Sequence, residues 1–115
     1  MTEAHETQRQ VCARYGVAPM PPEETVKVGI SEGALNGELP LNGLRHPPED
    51  GTTGWFIWAG TDLSEDPNFF RPLHLYHLRQ TCPAILPYLA LPPGWRFLIA
   101  EEHEGVWYDA ALLAT

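Results

Sequence analysis

The chain has 115 residues, of which 43% are hydrophobic, so its length suits one domain and its composition supports a packed core rather than intrinsic disorder. Seven Lys and Arg residues against 15 Asp and Glu residues give a formal charge of −8, which disfavours nucleic acid and membrane surfaces as partners and favours a cationic protein. Two cysteines, Cys12 and Cys82, form no disulfide framework or zinc motif. Residues 1–6 lack a signal-peptide pattern and no apolar run exceeds that at 55–59, so we expect a cytoplasmic protein.

The chain begins with a predicted helix. Residues 3–15 are good helix formers without Pro or Gly, and Gly16 ends the pattern. The prolines within residues 19–22 cannot continue a helix, because proline lacks the amide donor. They predict a stiff connector between this helix and the rest of the domain.

Two strands are predicted next, separated by a long glycine- and proline-rich stretch. Residues 25–30 alternate between apolar and polar side chains, which is typical of a half-buried strand. Residues 31–53 are predicted to be mostly loop, with room for a short element around residues 39–41. Residues 54–60 are apolar on both sides, since Trp55, Ile57 and Ala59 point one way and Phe56 and Trp58 the other; they predict a central strand covered on both faces.

The second half of the chain predicts helices and then a hairpin. Leucines at helical spacing indicate a helix over residues 73–81, and Pro83 suits the first turn of a second short helix that ends near Leu89. Residues 95–100 and 106–108 are apolar runs joined by a polar tip, which is typical of an antiparallel hairpin with a longer loop.

These elements predict an α+β fold with a small, mainly antiparallel sheet of about four to five strands, packed with two to three helices. The chain contains no repeated βαβ unit. We therefore expect a single domain over residues 1–115, made of an N-terminal helix at 1–16 and an α+β core at 25–112.

Histidines raise one chemical alternative. His74 and His77 stand three residues apart on the predicted helix, which places both imidazoles on one face, and imidazole is a common metal ligand. A site would need a third ligand, for which His46, Asp62 or His103 are candidates. The flanking arginines favour a solvated basic helix face instead, so a metal-binding protein or metal-dependent hydrolase is kept as an alternative.

Other catalytic motifs are missing from the sequence. The acidic stretch from Asp62 to Asp66 lacks the glycine and the alternation of a calcium loop, no glycine-rich phosphate loop occurs, and neither cysteine nor serine lies in a nucleophile motif. We therefore expect no enzyme and no cofactor. The four tryptophans favour core positions, but one exposed tryptophan near an acidic loop would form a protein-binding patch.

Several short motifs carry a family resemblance over about residues 50–112, with a weaker match at 26–31 and none in the N-terminal helix. The sequence resembles the thirty-third immunity-protein type of bacterial polymorphic toxin systems, a family once of unknown function. It departs from that pattern at Asp62, where the family usually has glutamate. The motifs that carry the resemblance are Gly54-Trp55, Gly60-Thr61-Asp62, Pro67-Asn68, Cys82-Pro83-Ala84-Ile85, Leu89 and Pro93-Gly94-x-x-Phe97.

The resemblance implies a small cytoplasmic protein that binds and neutralises a toxin without catalysis. Carboxylates would speed association with a cationic toxin and occlude a site for an anionic substrate. A stand-alone regulatory or ligand-binding domain on the same scaffold is the other alternative. The residues that we expect at the partner-binding surface are the acidic Asp62, Glu65 and Asp66, with aromatic support from Trp55, Trp58 and Phe69.

Overall fold

The computed structural model describes residues 2–23, 25–49, 51–60 and 69–114, with the backbone alone for residues 2–6 and 114. Among these residues every helix is too short or too polar to cross a membrane. The elements in chain order are α1 (Thr2–Arg14), β1 (Lys27–Ser31), α2 (Glu32–Leu35), β2 (Leu41–Arg45), β3 (Thr52–Ala59), β4 (Phe70–His74), a 3-10 turn (Leu75–His77), α3 (Leu78–Thr81), a second 3-10 turn (Pro83–Tyr88), β5 (Trp95–Ala100), β6 (His103–Tyr108) and a third 3-10 turn (Ala110–Ala114).

Six strands form one sheet in the order β4-β1-β3-β2-β5-β6. The β1–β3 pair is parallel, and the other four neighbouring pairs are antiparallel. The predicted α+β class with a mainly antiparallel sheet is confirmed. The sheet has one strand more than the four to five that the sequence indicated, and β2 and β4 are the strands that the pattern did not resolve.

Strand β2 lies in the middle of the sheet, although its residues were predicted to be mostly loop. Gly43 hides the strand pattern, because a β-branched or aromatic residue would be expected there. Its lack of a side chain has a packing reason: a Cβ atom at this position would overlap the Phe97 ring. Leu41 and Leu44 then pack on opposite sides of the sheet.

Strand β4 replaces the first part of the helix that was predicted over residues 73–81. Leu75 and Leu78 do show helical spacing, and the chain turns into 3-10 and α-helical conformation from Leu75 onward. Pro72 keeps the preceding residues extended, since the residue before a proline disfavours the helical region. β4 is an edge strand, which is where a sheet tolerates a proline and its missing amide hydrogen.

The two other predicted helices are present, whereas α2 and the third 3-10 turn were not predicted. The N-terminal helix α1 ends at Arg14, and the second short helix is the 3-10 turn Pro83–Tyr88. The predicted hairpin is present, but its loop is shorter than predicted: β6 already begins at His103, which pairs with Ala100, so only Glu101 and Glu102 form the tip. At the open end of the hairpin Trp95 pairs with Tyr108.

The main hydrophobic core lies on one side of the sheet, which we call the closed face. Trp55 and Ile57 of β3 point to this side and pack with Phe97 of β5, while α1, α3 and the 3-10 turn Pro83–Tyr88 cover them. The Trp55 indole Nε1 donates a hydrogen bond of 3.0 Å to the carbonyl oxygen of Leu89. The Trp55 side chain, the largest of the fully buried ones, is therefore also hydrogen-bonded, as burial of its polar N–H group requires.

Candidate functional site

The opposite side of the sheet carries a second, smaller hydrophobic cluster. Strand β3 sends Phe56 and Trp58 to this side because successive strand residues point to opposite faces. Trp58 is buried, and Phe56 remains partly exposed. We call the cluster the aromatic face; it consists of Leu44, Phe56, Trp58, Phe69 and Phe70.

Phe70 joins the rings of the aromatic face. Its ring centroid lies 5.2 Å from that of Phe56, 4.9 Å from that of Phe69 and 6.3 Å from that of Trp58, and all three pairs are T-shaped. Edge-to-face pairs of this kind stabilise each other beyond the area that they bury. The rings thus hold a defined arrangement on the surface of the sheet.

A glycine in β1 permits this arrangement. Gly29 lies between β4 and β3 and pairs with Pro72 on one side and Phe56 on the other. A Cβ atom at Gly29 would lie 2.8 Å from Cδ1 of Phe56 and 3.4 Å from Cβ of Phe70. The two phenylalanines therefore meet above the backbone of β1, where any other residue would push them apart.

Two hollows open beside the rings. One has a volume of about 210 Å³ and is lined by Leu44, His46, Phe56, Trp58 and Phe70. A second, of about 390 Å³, shares His46 and Phe56 with the first. The first hollow, with its aromatic walls, is suited to receive an apolar side chain of a protein partner, since hot spots fill such pockets at interfaces. The second hollow is more polar, because Glu49 and Thr52 also line it.

The third 3-10 turn covers part of the aromatic face. Leu112 packs into the cluster with 8% of its surface exposed, and the Nδ1 atom of His46 lies 3.1 Å from its carbonyl oxygen. The residues of α1 and α3 that pack on the sheet belong to the closed face instead. The two faces of one sheet are therefore covered to different extents by the described part of the chain.

The aromatic row continues to the far edge of the sheet. Cross-strand pairing runs from Phe56 through Leu44 and Arg96 to Trp107. The Arg96 guanidinium lies 5.4 Å from the centroid of the Trp107 indole and forms a 3.2 Å ion pair with Asp109. Trp107 is 40% exposed, so an exposed indole extends this side of the sheet.

The sequence-predicted partner-binding residues fall in three places. Trp58 and Phe69 belong to the aromatic face. Trp55 points to the closed face with only 1% of its surface exposed, so it supports the sheet from the other side. Asp62, Glu65 and Asp66 lie outside the described residues, in the chain between the end of β3 and Phe69.

The histidines of the metal alternative do not share the predicted helix, because His74 ends β4 and His77 lies in the 3-10 turn that follows. His74 stacks on Tyr76 at 5.5 Å, and its ring centroid lies 6.2 Å from that of His77. His103 begins β6, at the edge of the sheet opposite to β4, and His46 lies on the aromatic face. Within the described ranges no three His, Cys, Asp or Glu side chains converge as metal ligands would.

A polar network fastens α1 to the hairpin. The Glu104 carboxylate accepts hydrogen bonds of 2.9 Å from both Tyr15 and Tyr88, and Arg14 pairs with it at 3.0 Å. Burial alone raises the pKa of Glu104, but the two tyrosine hydroxyls and the Arg14 charge outweigh it, so the pKa is lowered overall. Burial and the neighbouring carboxylate raise the pKa of Tyr88 to about 12. The Glu104 carboxylate is held by the two tyrosine hydroxyls, which indicates that this network has a structural role.

Sequence reasoning did not single out Leu44, Phe56, Phe70 or Trp107 as surface residues. The signal for Phe56 was present, because alternation along β3 already placed it beside Trp58. For Leu44 and Phe70 no signal was present, because β2 and β4 were not recognised as strands. Trp107 lies on a predicted strand, but its place beside Arg96 depends on the hairpin register.

Comparison with known protein families matches the model described as the Imm33-like domain to residues 7–109 of the chain. The match begins inside α1 and runs through all six strands, so it includes the second half of the helix that the sequence resemblance left out. No curated protein matches the chain, and no solved structure does.

Proposed function

The chain belongs to the Imm33-like family, an immunity-protein family of polymorphic toxin systems, and from that premise we propose that it neutralises a toxin by binding it through the aromatic face, without catalysing a reaction. The observation that carries the choice of surface is the cluster of partly exposed, edge-to-face rings centred on Phe70. Contiguous exposed apolar patches mark interaction sites, and aromatic side chains dominate the energy of protein interfaces.

Each ring has a distinct place in this proposal. Trp58 is buried and forms the floor, while Phe56, Phe69 and Phe70 are partly exposed and offer their edges to a partner. The two hollows beside them would take up side chains of the toxin. Rings already ordered by their neighbours lose little side-chain entropy on binding, which favours affinity.

The carboxylates of Asp62, Glu65 and Asp66 would steer the approach. They precede Phe69 in the chain by three to seven residues, and the whole protein carries a formal charge of −8. Complementary charge mainly raises association rates and adds less to the lifetime of a complex. The partner in this proposal is therefore a toxin with a cationic surface, and the rings supply most of the affinity.

The side chains of the aromatic face support binding rather than turnover. The side chains of the aromatic face are those of leucine, phenylalanine and tryptophan, none of which accepts or releases a proton at neutral pH. Catalysis by acids and bases requires a titratable group within reach of the reacting atoms. A surface with this chemistry is suited to occlude another protein.

The test uses the protein as bait in a lysate of its source bacterium. Wild-type protein, Phe69→Ala and Tyr108→Ala are immobilised at equal density, and the captured toxin is identified and its affinity measured. Tyr108 is the control because it is an exposed aromatic, at 50%, whose neighbour Trp95 belongs to the closed face. We expect Phe69→Ala to weaken binding at least tenfold, about 1.4 kcal/mol, and Tyr108→Ala to leave it unchanged. Equal affinities, or a loss at Tyr108 alone, would exclude the aromatic face.

The electrostatic part is tested by two matched charge reversals. Glu65→Lys/Asp66→Lys and Glu101→Lys/Glu102→Lys change the net charge equally, but the second pair lies at the exposed hairpin tip. We expect the first pair to slow association at low salt with little change in the dissociation rate, and the same holds for Asp62→Lys to a smaller extent. Equal slowing by both pairs would mean that only net charge matters.

A further inference from the structure

A buried cation on the closed side of the sheet has no acidic partner in the described chain. Arg45, at the end of β2, is only 3% exposed. Its Nε donates to the carbonyl oxygen of Thr53 at 3.0 Å, and its Nη1 donates to those of Met20 and Leu91 at 2.8 and 2.9 Å. Burial lowers the pKa of Arg45 to about 10, so the group stays charged at neutral pH.

The hydrogen bonds of Arg45 leave one end of its guanidinium unused. Nε and Nη1 hold three carbonyl oxygens, whereas Nη2 has no hydrogen bond to any residue within the described ranges. Carbonyl dipoles offset only part of the cost of burying a charge, and an uncompensated buried charge destabilises a protein. An anion at Nη2 would complete the neutralisation.

A pocket of about 360 Å³ lies at this guanidinium. Arg45 lines it together with Met20 and Thr53, the residues whose carbonyl oxygens accept from Nη1 and Nε. Val26 and the nearby prolines, Pro22 among them, form apolar walls. The volume lies in the range of pockets that hold small molecules.

The lining selects the chemistry of a ligand. The unused Nη2 of Arg45 can donate a charge-assisted hydrogen bond to a carboxylate oxygen, and the apolar walls favour a carboxylate that carries a hydrocarbon group. Glu23 also lines the pocket, and its negative charge disfavours a dianion such as phosphate. We propose that this pocket binds a small monocarboxylate, with the carboxylate on Nη2 of Arg45 and the hydrocarbon part against Met20, Val26 and the prolines.

The test compares hexanoate with hexanamide, which has the same shape and no charge. Each is titrated into the isotopically labelled protein at constant ionic strength, and the amide chemical shifts are followed by NMR. We expect saturable shifts with hexanoate around Val26 and Arg45, and at least tenfold weaker binding of hexanamide. Equal binding of the two compounds, or no saturable shift with hexanoate, would overturn the proposal.

A variant pair locates the site without disturbing Arg45 itself. Val26→Phe narrows the pocket from its wall, and we expect it to weaken hexanoate binding at least tenfold. Val106→Phe is the matched control, because Val106 is also partly buried but lies on β6, away from the pocket, and we expect it to leave binding unchanged. Shifts outside the substituted site should stay the same in both variants, which shows that each is folded. Hexanoate binding that survives Val26→Phe would contradict the assignment.

Discussion

The closed face and the aromatic face are built from the same strand and use the same residue types differently. Trp55 and Trp58 are three residues apart in β3, yet Trp55 packs under the helices with its indole bonded to Leu89, whereas Trp58 lies beneath a partly exposed Phe70. Helices cover Trp55 on the closed face, and aromatic rings cover Trp58 on the aromatic face. We therefore expect the buried indoles of Trp55 and Trp58 to contribute to folding, and the partly exposed rings of the aromatic face to be available for a partner.

The largest effect is expected from Trp55→Ala. The substitution removes a fully buried indole and leaves the Leu89 carbonyl oxygen without its donor, so we expect a loss of about 3–5 kcal/mol in the free energy of unfolding. Guanidinium denaturation followed by circular dichroism measures it. A loss below about 1 kcal/mol would show that Trp55 is not a core residue and would remove the distinction between the faces.

Two glycine substitutions compare how tightly the closed face and the aromatic face are packed. A Cβ at Gly43 would overlap Phe97, which is held between Trp55 and Tyr88, and a Cβ at Gly29 would press on the half-exposed ring of Phe56. Overpacking a closed core costs about 1–3 kcal/mol. We expect that loss for Gly43→Ala and less than about 1 kcal/mol for Gly29→Ala in the same denaturation assay. A larger loss at Gly29 would mean that the Phe56 ring cannot yield and that the aromatic face is packed as rigidly as the core.

The closed face should also respond to pH through Glu104. Its folded pKa lies below the ordinary value, so its network stabilises the protein above that ordinary pKa, and this contribution is lost as the pH falls through the folded pKa. We expect wild-type thermal stability to fall on acidification more steeply than that of Glu104→Gln. Parallel pH profiles for the two proteins would show that the network does not hold α1 in place.

Tyr88 should make the stability of the protein depend on pH in the alkaline range. The pKa of Tyr88 is raised from 10.0 to about 12. Its contribution to the free energy of unfolding is therefore complete below pH 10 and is lost between pH 10 and pH 12. Tyr88→Phe removes one hydrogen bond to a charged group, which is worth about 1.5–3 kcal/mol, and should flatten this part of the stability profile. An unchanged alkaline slope in Tyr88→Phe would contradict the assignment.

The smallest effect on stability is expected on the aromatic face. Phe69 is partly buried and precedes β4, so Phe69→Ala should cost less than about 1 kcal/mol of unfolding free energy in the denaturation assay. A loss as large as that expected for Trp55→Ala would make Phe69 a core residue and leave it unsuited to act as a contact.

Much of the fold follows from the sequence pattern, and the exceptions have physical reasons. Alternation around Trp55 gave both the central strand and the side to which each ring points. Strand β2 was not predicted because glycine is unusual in a strand. Gly43 is required by the packing of the Phe97 ring against it, which the local sequence does not reveal. Strand β4 was not predicted because the leucine spacing suggested a helix from residue 73, whereas helical conformation begins only at Leu75.

The site could be predicted only in part. Trp58 and Phe69 were recognised as aromatic support, and both belong to the aromatic face. Which side of the sheet the helices cover depends on how the chain crosses it, and periodicity within one strand carries no information about that. For this reason Trp55, equal in type to Trp58, was expected at the surface and lies in the core.

Photo-crosslinking tests the central claim most directly. Phe69→benzoylphenylalanine and Tyr108→benzoylphenylalanine place the same photoreactive group on the aromatic face and beside the closed-face residue Trp95, and each protein is irradiated in complex with the captured toxin. We expect a covalent adduct to the toxin from position 69 and none from position 108. An adduct from position 108 alone would contradict it, because the toxin would then bind the opposite side of the sheet.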